Sequence, residues 1–212
     1  MTEESSAQRQ SRVAVAGGSW EEYVRLYLND KLMGKDVQVI VGKNEKQIRT
    51  RSETLWKMLS IPIKASTVRE SVWGDVDLVA IKNNIPICII SCKVSLHGRL
   101  SETLFWSLLS RTLTKIKVVL ATSDSGRQSG KSIWQSEWGT SDNPTKDRLL
   151  AESYLDGVYV DNVKEFCRDM KPNEHTAMGG VVRHLGELPL DLLRWSEDSK
   201  FVYTQKDLQD FH

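Results

Sequence analysis

Three features of the sequence predict an α/β protein with a mixed central sheet flanked by helices. Segments of helical and strand-like period alternate in the order α, β, α, β–β, α, β through residue 122. The run IKVVLATSD (116–124) is almost continuously apolar, as suits a strand covered on both faces. DVDLVAI (75–81) and IPICIISCKV (85–94) flank the turn-forming KNN and read as a hairpin.

Taken in order, residues 1–16 form a polar tail running into VAVA. Ser19 is a candidate N-cap, with Glu22 three residues on to complete a capping box. Trp20, Val24, Tyr27, Leu28 and Leu32 then recur at helical spacing, predicting an amphipathic helix over 20–33 that Gly34 can end. DVQVIVG (36–42) alternates and is β-branched, hence a strand. Ile48, Leu55 and Leu59 place a helix over 45–60, closed near Pro62. Pro86 is tolerable close to the start of the second hairpin strand. Leu100, Leu104, Trp106, Leu108 and Leu109 predict a largely buried helix over 99–115. Beyond the 116–122 strand, residues 123–147 are rich in Gly, Ser and Asp and too long for a simple connection. Residues 154–162 read as a strand and 163–170 as a short helix, while 179–195 mixes both signals.

The chain has 212 residues, long enough for one well-filled core, so a single domain is expected. A net charge of +1 neither supports nor excludes a nucleic-acid partner, because cations can gather on one face. Cys88, Cys92 and Cys167 lack CxxC spacing and read as buried thiols rather than a zinc site. There is no signal-peptide pattern and no apolar run near the roughly 20 residues of a membrane span, so a cytoplasmic protein is expected.

The chemistry concentrates in residues 74–106. Asp75 and Asp77 head the first hairpin strand, Lys93 ends the second, and Arg99 and Glu102 open the next helix. An ammonium at the end of the apolar run IPICIIS is costly to bury without anionic partners. Acid, lysine and a second acid brought together by a hairpin make a divalent-metal site facing a phosphate, which points to a metal-dependent nuclease. Carboxylate oxygens suit a hard cation such as Mg²⁺. Strand alternation puts Ser91 and Ser95 on the Lys93 side.

GDVD and SCK, followed by a helix, resemble the PD-(D/E)XK nuclease superfamily, and small type II restriction endonucleases in particular. The resemblance covers roughly residues 45–122, and the helix in GGSWEEYV is similar to the amino-terminal helix of such enzymes. It implies a restriction-endonuclease-like core, with Asp77, Lys93 and Glu102 catalytic and Asp77, Glu102 and the main-chain carbonyl of Cys92 on the metal. Asp75 is the alternative to Asp77. The chain departs from the pattern at Ser91, where the superfamily has an acid. In some relatives a glutamate from the following helix takes that role, which makes Glu102 the candidate; the plainer reading is a first-turn glutamate favoured by the helix dipole.

Arg99 can hold a phosphate or merely stand exposed at a helix start, and His97 can donate to a phosphate or be solvated. Glu53 and Glu70 are candidates for a further acid, or ordinary surface glutamates. Ser95, Arg99, Arg127 and Lys131 are the expected DNA contacts, the last two in a loop that would close over DNA. The resemblance thus implies a single endonuclease domain over 1–212, with a catalytic core at 45–122 and a recognition elaboration at 123–212. It also implies a Mg²⁺-dependent enzyme that cuts double-stranded DNA at a short sequence and leaves 5′-phosphate and 3′-hydroxyl ends. The expected assembly is a homodimer, with a DNA methyltransferase as genetic partner. The alternatives are a repair or junction-resolving nuclease of the same superfamily, and an inactive DNA-binding relative.

Overall fold

The computed structural model describes residues 6–62, 71–96, 99–124, 127–129, 133–161 and 178–198, with the side chains of 6–17, 127–129 and 133–135 left aside. Its centre is a six-stranded mixed sheet. Along the chain come α1 (Ser6–Lys31), β1 (Val37–Val41), α2 (Glu45–Arg51), α3 (Glu53–Leu59), β2 (Ser60–Pro62), β3 (Ser71–Trp73), β4 (Leu78–Lys82) and β5 (Ile85–Lys93). Then follow α4 (Leu100–Leu113), β6 (Lys117–Thr122), β7 (Arg127–Ser129), β8 (Ile133–Gln135), α5 (Lys146–Tyr154), β9 (Gly157–Val160), β10 (Val182–His184), a 3₁₀ turn (Leu185–Glu187) and α6 (Leu188–Glu197). The main sheet runs β1-β4-β5-β6-β9-β10. β1, β4 and β5 pair antiparallel, while β5, β6, β9 and β10 pair parallel.

Side chains alternate across this sheet with period two. Leu78, Ala80, Cys88, Ile90, Val119, Ala121 and Tyr159 join Trp20, Val24 and Leu28 of α1 and Leu188, Leu192 and Trp195 of α6 in one core layer. Val118, Leu120, Val158 and Val160 face Leu100 and Leu104 of α4 and Ala151 of α5 in another. A third cluster packs α2 and α3 on Val79 and Ile81.

Trp20, Val24, Leu28 and Leu32 of the predicted stripe of α1 are buried and Tyr27 is half-buried, but the helix begins at Ser6, so Ser19 lies inside it and caps nothing. The polar stretch expected as a tail over 1–16 is therefore helical from residue 6. Gly34, at φ +77°, takes the left-handed turn after it. The helix expected over 45–60 is broken at Ser52, whose backbone is extended and whose side chain accepts from Leu55 N at 3.2 Å. The serine hydroxyl competes with the helical ladder and starts a second helix. The hairpin turns at Asn83 and Asn84, both at positive φ (52° and 59°), as a tight two-residue hairpin requires. Pro86 sits beside a register shift at Ala80/Ile81 and before β6 pairing begins at Cys88, so its missing N–H leaves no gap in the ladder.

α4 is less buried than its sequence suggests. Leu100, Thr103, Leu104 and Ser107 face inward while Phe105 and Leu108 are exposed. α5 is hidden in sequence behind the polar 123–147 stretch, and is started by Thr145 accepting from Arg148 N. Residues 179–195 contain both elements they hinted at, β10 and then α6. There Asp191 of α6 accepts from the Tyr159 hydroxyl, Arg183 and Arg194, tying the last strand and helix to β9. The helix expected at 163–170, with Cys167, lies outside the described residues. No helix among the described residues is long and apolar enough to cross a membrane.

Candidate active site

The site forms where β1 and β5 end and β4 begins, at one end of the sheet. Asp77 is the last residue before β4 and is only 3% exposed. It is fixed from two sides. Its carbonyl accepts from Gly42 N at 2.9 Å, and its Oδ2 accepts from Cys92 N at 2.8 Å. The Gly42 contact leaves no room for a side chain: a Cβ there would meet Val76 Cγ1 at 2.4 Å and Val76 O at 2.7 Å. Gly42→Ala is therefore expected to separate β1 from the Asp77 segment, lowering stability by about 1–3 kcal/mol. A thermal melt equal to the parent's would show that the segment tolerates the shift.

Lys93, 8% exposed, finds the anionic partners that its place in the sequence demands. Its Nζ is 3.3 Å from Asp77 Oδ2 and 3.5 Å from Asp75 Oδ2. Ser91, also buried, lies 3.4 Å from Asp77 Oδ2, and its hydroxyl shares a 3.0 Å hydrogen bond with Thr103 of α4. Where an acid would stand, the chain thus has a hydroxyl pair linking β5 to α4.

Two residues absent from the sequence reading join the site. Glu21 of α1 is 8% exposed and bonds Lys43, whose Nζ also lies 3.4 Å from Asp77 Oδ1. Glu21 is delivered by its neighbour Trp20, which is fully buried and donates its indole N–H to Ala121 O of β6 at 3.1 Å. Burial pushes the Glu21 carboxyl up, and the Lys43 bond only partly offsets this. Burial opposes the Lys43 charge, but Glu21 and Asp77 together outweigh it and raise that ammonium's pKa. The sequence signal for Glu21 was a glutamate beside the most buried aromatic of an amphipathic helix. For Lys43 it was only a cation beside a strand-ending glycine.

Glu102 lies in the first turn of α4, exposed, with no hydrogen-bond or ion-pair partner among the described residues. Helical spacing sets it one turn before Trp106, which lines a cleft together with Gly74 and Asp75. Its neighbour Thr103 hydrogen-bonds Ser91, which ties the first turn of α4 to β5 beside Asp77. Arg99 is exposed at the head of the same helix. Glu53 pairs with Arg49 on the surface, and Glu70 and His97 lie outside the described residues.

Ser95 donates to Glu137 Oε1 at 2.8 Å, and Leu96 N donates to the same carboxylate at 3.1 Å. Glu137 N in turn donates to Asp124, a buried residue at φ +48°. The loop after β6 is thereby sewn to the segment leaving Lys93. Because β6 runs parallel to β5, residues 123–147 leave from the same end of the sheet as Lys93. The side chain of Arg127, and Lys131 altogether, lie outside the described residues.

No group of three or more His, Cys, Asp or Glu among the described residues is gathered to hold a metal ion; the acids are interleaved with two ammonium groups. The donor chemistry nevertheless fits a hard divalent cation. Asp77 Oδ2 is taken by the Cys92 N–H, Lys93 and Ser91, while Oδ1 and Glu21 already share one cation between them. Asp77 and Glu21 could hold such an ion, with Asp75 beyond Lys93. The Cys92 thiol is no ligand candidate: burial pushes its pKa well up, so it stays protonated within the apolar layer.

Comparison with known proteins agrees in kind. No curated protein matches the chain. A crystal structure titled as a pre-specific complex of restriction endonuclease BsaWI with DNA superposes with a TM-score of 0.48 at 14% identity, covering 97% of this chain and 69% of that one. The family described as BsaWI restriction endonuclease type 2 matches residues 46–177, which include Asp75, Asp77, Lys93 and Glu102. That match spans more than half of the sequence, and the chain belongs to the BsaWI family of type 2 restriction endonucleases.

Proposed function

We propose that the protein hydrolyses double-stranded DNA at a specific short sequence with Mg²⁺, leaving 5′-phosphate and 3′-hydroxyl ends. The observation that carries this reading is Lys93, buried at the end of β5 between Asp75 and Asp77. A divalent cation held at Asp77 would activate the attacking water and offset charge building on the phosphate. The Lys93 ammonium donates hydrogen bonds to that water and to a phosphate oxygen, with its charge favouring the more anionic transition state. Asp77 and Asp75 hold Lys93 in place, and Cys92 N–H and Gly42 N hold Asp77. The Cys92 carbonyl and Glu102 would supply further oxygen donors to such an ion, and Glu21 a further acid from α1. Arg99, exposed at the head of α4, would contact the duplex backbone, and Ser95 would do so from the segment that it ties to Glu137. Arg127 and Lys131 follow β6 in the sequence, and Arg127 opens the strand β7 rather than lying in a loop; both are proposed to contact DNA. A palindromic target would call for a symmetric homodimer, and a host methyltransferase would protect the same sequence.

Plasmid cleavage by the purified protein tests this directly. Discrete fragments with Mg²⁺ and none with a chelator are expected. Preference for branched over linear duplex would favour a repair nuclease, and sequence-specific binding without cleavage an inactive relative. The same assay decides the role of Glu102. Glu102→Ala is expected to lose activity by orders of magnitude, and Ser91→Glu in that background to recover part of it. Unchanged cutting by Glu102→Ala would remove this residue from the metal site.

A further inference from the structure

Lys43 has no place in the chemistry above, yet it sits on the one oxygen of Asp77 that Cys92 N–H, Lys93 and Ser91 leave alone. Its other partner is Glu21, an acid from a different layer of the fold. The ammonium thus bridges two buried carboxylates that would otherwise repel each other, and Asp77 is among the charges that raise the Glu21 pKa. Unlike Lys93, it is not enclosed. Its side chain is 52% exposed and enters from the connection between β1 and α2 on a flexible four-carbon stem.

We propose that Lys43 is a displaceable counter-cation: it neutralises Glu21 and Asp77 in the metal-free protein and competes with the divalent ion for both. This rests on Asp77 being the metal-binding acid. Two carboxylates carry two negative charges and one ammonium offsets only one, so a divalent ion satisfies the pair better. Lys43 can swing into water without opening the core because half of its side chain is already exposed, and its ammonium is hydrated on release. Competition for shared ligands is reciprocal, so whatever Lys43 contributes to the metal-free site is subtracted from metal affinity. The enclosed Lys93 is retained on metal loading, which gives the two lysines of one site opposite behaviour.

The test uses Mn²⁺ binding, followed by the loss of its free-ion electron paramagnetic resonance signal, without DNA or turnover. Lys43→Met is expected to bind Mn²⁺ about fivefold or more tightly than the parent. It should also melt at a lower temperature than the parent in chelator, because Glu21 loses its bonded cation and Lys93 alone is left to offset Asp77. Equal or weaker Mn²⁺ binding by the variant overturns the proposal. A parent that binds no Mn²⁺ overturns the metal reading along with it, whereas a parent that binds and a variant that binds equally leaves that reading standing. Should Lys43→Met fail to fold, the parent protein decides. Amine acetylation read by mass spectrometry is expected to reach Lys43 several times faster with Mg²⁺ than with chelator, relative to the exposed Lys35 and Lys46. No acceleration overturns the idea.

Discussion

Lys93→Ala is expected to lower DNA cleavage by about 100- to 1000-fold or more, while the protein still folds and still binds DNA. The reasoning runs from burial to charge. At 8% exposure Lys93 is not a surface cation that water can replace, and both of its partners are carboxylates. Its removal leaves Asp77 with the Cys92 N–H, Ser91 and Lys43, so the acid keeps compensating contacts and the fold is not expected to collapse. Lys93→Met separates charge from packing, because it keeps an unbranched stem of similar volume. Both variants should show near-parental melting and equally poor cleavage. A folded Lys93→Ala protein that cuts at the parent's rate would remove the nuclease assignment from this site.

Asp77→Asn is expected to be as damaging to activity as the loss of Lys93, and to abolish Mn²⁺ binding. The amide preserves an acceptor for Cys92 N–H, so the change removes charge more than shape. What remains are two ammonium groups, Lys43 and Lys93, that keep Glu21 and Asp75 as partners but lose the acid shared between them. Removing one member of a buried ion pair typically costs about 3–5 kcal/mol, and these retained partners should bring the loss below that. Asp75→Asn is the matched control. Asp75 is more exposed and touches only Lys93 among the described cations, so it should lose far less activity. Should Asp75→Asn lose metal binding while Asp77→Asn retains it, the two aspartates exchange roles.

The hairpin and its turn within KNN were legible because they depend on neighbours in sequence. The two-residue turn alone would set Asp77 opposite Ile90, on the face away from Lys93; the register shift at Ala80/Ile81 carries Asp77 to the Ser91 and Lys93 face, and nothing in the local pattern announces that shift. Ser91 was readable as a departure, although the hydroxyl pair it makes with Thr103 was not. α5 stayed hidden because its helical pattern follows a polar stretch that reads as loop.

What the sequence by itself determined was the alternation of elements, the apolar stripe of α1 and the demand of Lys93 for anionic partners, set by short-range period and by the cost of burying a lone ammonium. What only the tertiary structure decided was which distant residues complete the site. Glu21 reaches Lys93's neighbourhood because Trp20 locks α1 against β6, a contact between residues 101 positions apart. Lys43 reaches Asp77 because Gly42 permits β1 to close on Val76. Contacts of that range follow from how helices pack on a sheet, and local propensity carries no record of it.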